Sequence, residues 1–114
     1  MIGSCVLNND VLQWKNQSVK RQMDRLTKKA TIINALGLHA RSAAKIAEIA
    51  RKANSAVRVA RGDLEADAAS VIDILTLACR AGEILEFTIA DPEDCDILKA
   101  LVNLVNDGFG EPRQ

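Results

Sequence analysis

Apolar residues recur at three- and four-residue spacing from Ala40 to Ala53, where Ala43, Ile46, Ala47, Ile49, Ala50 and Ala53 form one face of a predicted helix. Alanines dominate that face, so the helix can lie close to a sheet. Ahead of it, Ala30 to Asn34 (ATIIN) is short and rich in β-branched residues, which predicts a strand, and ALGLHA is the connecting loop. Ser55 to Arg61 alternates, with Val57 and Val59 on one side and Arg58 on the other, as a half-buried strand does. Gly62-Asp63 is a turn signal, and Leu64 to Asp67 is the returning strand of a hairpin. A short helix is predicted from Ser70 to Cys79, with Val71, Ile74, Leu75 and Ala78 on its apolar side. Ser70 followed by Asp73 fits an N-terminal capping pattern, and Arg80-Ala81-Gly82 ends the helix. Glu83 to Ala90 is the clearest strand, with Leu85, Phe87 and Ile89 inward and Glu86 and Thr88 outward. Asp91-Pro92 opens the last helix, Ile97, Leu98, Leu101, Val102, Leu104 and Val105 supply its buried face, and Gly108 closes it.

The order is therefore β-α-β-β-α-β-α. The hairpin makes the sheet at least partly antiparallel, and helices with one apolar face each cover one side of it, giving a two-layer α+β sandwich. Residues 27–111 form this domain. Residues 1–26 read as an N-terminal extension: a basic tail, a weak amphipathic helix carrying Leu12, Val19, Met23 and Leu26, or a mis-assigned start ahead of Met23.

The length of 114 residues suits one domain with a single core. Trp14, Phe87 and Phe109 are the only aromatics, so the core comes from Ala, Ile, Leu and Val. Net charge is zero but uneven. Residues 1–29 carry six basic and two acidic groups, and residues 30–114 carry nine basic and thirteen acidic. An acidic body argues against nucleic acid as a partner. Cys5, Cys79 and Cys95 are an odd number without a close pair, which is no disulfide framework and no zinc site, and reduced thiols are expected. No apolar run approaches the ~20 residues that span a bilayer. The opening residues lack the features of a secretory signal. A soluble, cytoplasmic protein with no membrane partner is expected.

Candidate chemistry sits in Gly37-Leu38-His39-Ala40-Arg41-Ser42, where the only histidine lies in a loop directly before a helix. The first turn of a helix has free N–H groups and a partial positive charge, which together favour a bound anion such as phosphate. A ring nitrogen of His39 presented there is a nucleophile for a phosphoryl group, and Arg41 can add a guanidinium contact. Gly37 lets the loop turn sharply before His39. By spacing alone, a histidine at a helix start is more often a surface or capping residue.

The segment GLHARSAA resembles the active-site signature of the HPr phosphocarriers of the bacterial phosphoenolpyruvate-dependent phosphotransferase system. The stretch ADAASVIDILTLACRAGEILEFTIA is similar to that family's second helix and last strand, and the ending NDGFGE is like its nitrogen-related branch. The resemblance implies an HPr-like open-faced β-sandwich, a four-stranded antiparallel sheet covered on one face by three helices. It implies that His39 is the phosphorylated residue, through Nδ1, the pros nitrogen, and that Arg41 steadies the phosphate. The main chain of Ala40 and Arg41, with Ser42, then lies against the phosphate. Ser70 aligns with a serine that a kinase modifies in some members, although helix capping accounts for it too. The family usually has proline where this chain has Ser42.

A carrier of this kind is a covalent relay rather than a complete enzyme. It takes its phosphoryl group from enzyme I and gives it to an enzyme IIA-type acceptor, as a monomer without metal or cofactor. Ile72, Leu75 and Leu77 are candidates for a partner-contact patch, weighed against a core role. A second reading is a regulatory module, whose phosphorylation state controls binding to a kinase, a transporter or a transcription regulator. RNA binding is weak, because Phe87 is the one strand aromatic and points inward.

Overall fold

The structure is a computed structural model and describes residues 26–111. The elements are β1 (Leu26–Thr31), α1 (Ala40–Ala50), β2 (Val57–Arg61), β3 (Leu64–Asp67), α2 (Val71–Leu75), β4 (Ile84–Ile89) and α3 (Cys95–Asn106), with 3-10 turns at Pro92–Asp94 and Gly108–Gly110. The four strands form one sheet in the order β1-β4-β2-β3, with every neighbouring pair antiparallel. Residues 1–25 of the N-terminal extension lie outside the described residues, and its last residue, Leu26, opens β1 rather than closing a helix.

Strand alternation builds the core. Val59 sits opposite Phe87, Val57 opposite Ile89, and Ala30 opposite Leu85, all buried. Against this inner face pack Ile46 and Ala47 of α1, Ile74 of α2, and Leu98, Leu101 and Val105 of α3. Three helices on one face of a four-stranded antiparallel sheet are the open-faced α+β sandwich expected from the sequence. The other face is polar: Thr27 and Thr88 hydrogen-bond across the strands at 3.0 Å, and Arg58 pairs with Glu65 at 3.4 Å. Among the described residues no helix is long and apolar enough to cross a membrane.

Several boundaries differ from the expectations. β1 begins at Leu26, four residues before the ATIIN segment. Lys28 and Lys29 disguise it, yet β1 is an edge strand, where lysine is well tolerated. α1 ends at Ala50, because the next amides, of Lys52 and Ala53, bond three residues back to Ile49 and Ala50 and tighten the chain into a 3-10 turn. α2 stops at Leu75 rather than Cys79. Leu77 and Ala78 make bonds of the same tight kind, and Ala78 takes φ +50°, so the chain turns before Gly82. Ser70 caps α2 by accepting from the Asp73 N–H at 3.3 Å, but its own N–H goes to the Asp67 carbonyl, so Asp73 does not complete the box. Asp91 caps the Pro92 turn by accepting from the Glu93 N–H at 2.9 Å. Cys79 is a free, buried thiol, and Cys95 is buried at the start of α3.

The segment that matters most for the site is the loop from Asn34 to His39. It rests on the loop after α2: the Leu38 N–H donates to the Cys79 carbonyl at 2.9 Å. Gly37 has φ +67°, and a Cβ there meets the Cys79 carbonyl oxygen at 2.8 Å and Arg80 Cα at 2.9 Å. Both neighbours are main chain and cannot swing aside. Gly62, at the hairpin turn, has φ +60° with nothing within 4 Å of a Cβ. Gly37→Ala is therefore expected to lower stability by roughly 2–4 kcal/mol, backbone strain plus clash, and Gly62→Ala by only about 1 kcal/mol. Urea unfolding of the two variants checks this ordering.

Candidate functional site

His39 is the N-cap residue of α1, in extended conformation (φ −145°, ψ −177°). Its ring folds back over the helix start, where Nδ1 accepts from the Arg41 N–H at 3.3 Å. Nε2 lies 3.0 and 3.1 Å from the two carboxylate oxygens of Glu111. An N–H donor faces one ring nitrogen and a carboxylate the other. The network therefore assigns the proton of the neutral ring to Nε2 and leaves the lone pair on Nδ1. The side chain is 29% exposed, so the ring is accessible from solvent.

The sequence-predicted residues divide by what their side chains do. Ala40 and Arg41 are exposed and contribute the first N–H groups of α1. Among the described residues the Arg41 guanidinium has no ion-pair partner, so it is available to a ligand. Ser42 is fully buried, and its hydroxyl is committed to the loop. It accepts from the His39 N–H at 2.9 Å and lies 3.0 Å from the His39 carbonyl and 3.4 Å from that of Gly37. The Ser42 hydroxyl thereby forms the half of a capping box that accepts from the N-cap main chain. Beside the ring is a cavity of about 440 Å³ lined by Ala35, Leu36, His39, Ala40, Arg41 and Glu111.

Two contributors were not singled out as site residues from sequence. Glu111 follows α3 and reaches the site from the 3-10 turn Gly108–Gly110. Its side chain is 9% exposed. The His39 hydrogen bond holds its carboxyl below the ordinary range against the opposing effect of burial; the Asn34 hydrogen bond and the charges of His39 and Lys45 act in the same direction as the first. Asn34 is buried and donates from Nδ2 to the Gly37 carbonyl and to Glu111 Oε1, both at 2.9 Å. The NDGFGE ending was the one available signal, but nothing in its pattern places Glu111 beside a histidine 72 residues away.

Of the patch candidates, Ile72 is 76% and Leu75 37% exposed, while Leu77 is wholly buried. Leu77 is therefore core rather than contact surface, because the tight turn after α2 swings it under the sheet. Leu36, 72% exposed in the His39 loop, adds an apolar residue that the sequence did not single out. Ser70 is the N-cap of α2, its hydroxyl engaged by Asp73.

An accessible imidazole with its lone pair over a helix start and a carboxylate behind it is the arrangement of a carrier of anionic groups. A sequence model described as the PTS HPr component phosphorylation site matches residues 26–107. Among similar proteins, the phosphocarrier protein HPr of Cupriavidus necator is 35% identical over 86 residues, covering 75% of this chain and 97% of that one. The phosphocarrier protein NPr of Shewanella violacea is 36% identical over 90 residues, covering 78% and 98%. A crystal structure of HPr from Thermoanaerobacter tengcongensis superposes with a TM-score of 0.68 at 32% identity, covering 75% and 97%. The chain belongs to the HPr family of phosphotransferase-system phosphocarriers.

The depressed carboxyl makes a pH prediction. A group whose folded pKa lies below its unfolded one contributes stability above the unfolded value and loses it as pH falls through the folded value. Glu111 should therefore stabilise fully above its ordinary 4.5 and progressively less below it. The stability difference between the wild type and Glu111→Gln is expected to be widest near neutrality and to narrow once the pH drops below 4.5, as measured by denaturant unfolding across an acid series.

Proposed function

We propose that His39 takes a phosphoryl group from enzyme I on Nδ1 and passes it to an enzyme IIA-type acceptor. The observation that carries this reading is the polarised ring: Nε2 rests on Glu111, and Nδ1 overlies the start of α1. As the Nδ1–phosphorus bond forms, the bond from phosphorus to the donor's leaving atom breaks, and the ring becomes positively charged. The proton stays on Nε2, where the Glu111 carboxylate stabilises the charge, much as a carboxylate steadies an imidazolium in hydrolase triads. The Arg41 N–H, bound only at 3.3 Å to Nδ1, turns to a phosphate oxygen, joined by the Ala40 N–H and the Arg41 guanidinium. Onward transfer reverses each step and returns a neutral ring.

Partners dock on exposed apolar residues, Leu36 in the His39 loop and Ile72 and Leu75 of α2. Relatives bearing the NPr name, from Shewanella violacea and Escherichia coli, support regulatory use of the same site. In that use the phosphorylation state of His39 controls stable binding to a target protein, without obligatory transfer.

Incubation with enzyme I and phosphoenolpyruvate should add one acid-labile phosphoryl group by intact mass, absent in His39→Ala, with nitrogen-15 spectra placing it on Nδ1. A wild type left unmodified under conditions that label a known carrier overturns the reading. Passage of the label to an enzyme IIA-type protein separates the relay from a binding module. Ile72→Glu, at a fully solvated position, should leave stability within about 0.5 kcal/mol while slowing phosphorylation by enzyme I about tenfold. Thermal unfolding and the initial labelling rate measure the two effects.

A further inference from the structure

Glu111 is effective only if the turn that carries it is fixed, and that turn is strained. Phe109, buried at 1% exposure, has φ +58° between Gly108 and Gly110, which also take positive φ. A bulky side chain in the left-handed region persists only when its surroundings over-determine it. Two contacts do so. The ring is packed into the core, and the Phe109 carbonyl accepts from Lys45 Nζ at 2.7 Å. Lys45 lies on α1, six residues after His39. The helix that holds the imidazole at its N-cap thus also grips, nearly two turns further on, the segment that brings the carboxylate back to that imidazole.

We infer that Lys45 is a positioning residue for phosphotransfer: by holding the Phe109 carbonyl it keeps the Glu111 carboxylate on Nε2 of His39, and so keeps the lone pair on Nδ1. Charge assists, because the ammonium also favours the ionised Glu111. The inference rests on the carrier reading, but its ring-level consequence can be measured without any phosphotransfer.

The experiment uses the full chain with nitrogen-15-labelled histidine, as wild type, Lys45→Met, Lys45→Arg and Glu111→Gln, at a pH where the ring is neutral. The wild type is expected to show the Nε2–H tautomer. Lys45→Met should move the ring nitrogens toward a tautomer mixture, in the same direction as Glu111→Gln, and slow phosphorylation by enzyme I about tenfold. Lys45→Arg, which keeps a charged donor, should restore both. A folded Lys45→Met with the wild-type ring signature overturns the inference. Should Lys45→Met fail to fold, Lys45→Gln carries the same test. A wild type that enzyme I never labels sinks the carrier reading instead, and the ring spectra still decide the latch.

Discussion

The start of α1 governs this molecule. A helix leaves its first N–H groups without partners, and here one of them is satisfied by the His39 side chain. The Arg41 N–H donates to His39 Nδ1 at 3.3 Å, long for such a bond. That length suits the proposed transfer. A strong cap would bury the lone pair and oppose attack on phosphorus. A weak one orients the ring and is surrendered at little cost when a phosphate oxygen offers a charged acceptor to the same N–H. In the proposed transfer the capping bond and the contact to phosphate are made by the same donor at two stages, and α1 keeps its cap throughout.

A ring poised in this way is useful only if its loop does not drift. The loop is held from beneath by the segment after α2, which is itself clasped to the hairpin. Arg61, at the end of β2, donates from Nε to the Leu77 carbonyl at 2.6 Å and pairs with Glu83 at 3.4 Å; Glu83 in turn accepts from the Arg80 N–H at 2.7 Å. Gly82 and Glu83 exchange main-chain bonds with Ile32, where β1 runs into the His39 loop. Two loops distant in sequence are thereby locked into one platform. Gly37 lies at their point of closest approach, which is why a residue without Cβ is needed there. The order of the strands makes this platform: β4 lies between β1 and β2, so the ends of all three meet below the site.

How much of this was legible in the sequence follows from how local each signal is. The hairpin at Gly62-Asp63 and the alternation of β4 were read correctly, because turn chemistry and a period of two are properties of neighbouring residues. β1 was displaced, because an edge strand can carry Lys28 and Lys29 and then looks like a loop. α2 was drawn too long, because tertiary bonds from Arg61 override its apolar pattern near Leu77. His39, Ala40 and Arg41 lie together at the start of α1, as a motif within six residues leads one to expect. Glu111 and Asn34 were missed, because their meeting with His39 is a product of topology. α3 must run its length along the sheet before the Gly108–Gly110 turn can deliver a carboxylate to the start of α1.

Ser42 shows how a departure from the family's usual residue can leave a site rigid by a different route. Proline at this place stiffens the first turn by fixing φ, an effect that acts largely through the unfolded chain. It offers nothing to the N–H of the residue three positions back. Serine gives up that restriction but supplies an acceptor, and the His39 N–H takes it at 2.9 Å in a part-buried setting. A buried N–H without a partner is costly, so this bond holds His39 in its extended conformation through the folded state itself. The same hydroxyl lies within hydrogen-bond distance of the His39 and Gly37 carbonyls and so ties together both ends of the loop that carries the imidazole. Rigidity at His39 is thus a property of the hydrogen-bonded loop as a whole, and the residue after Arg41 serves it from within that loop.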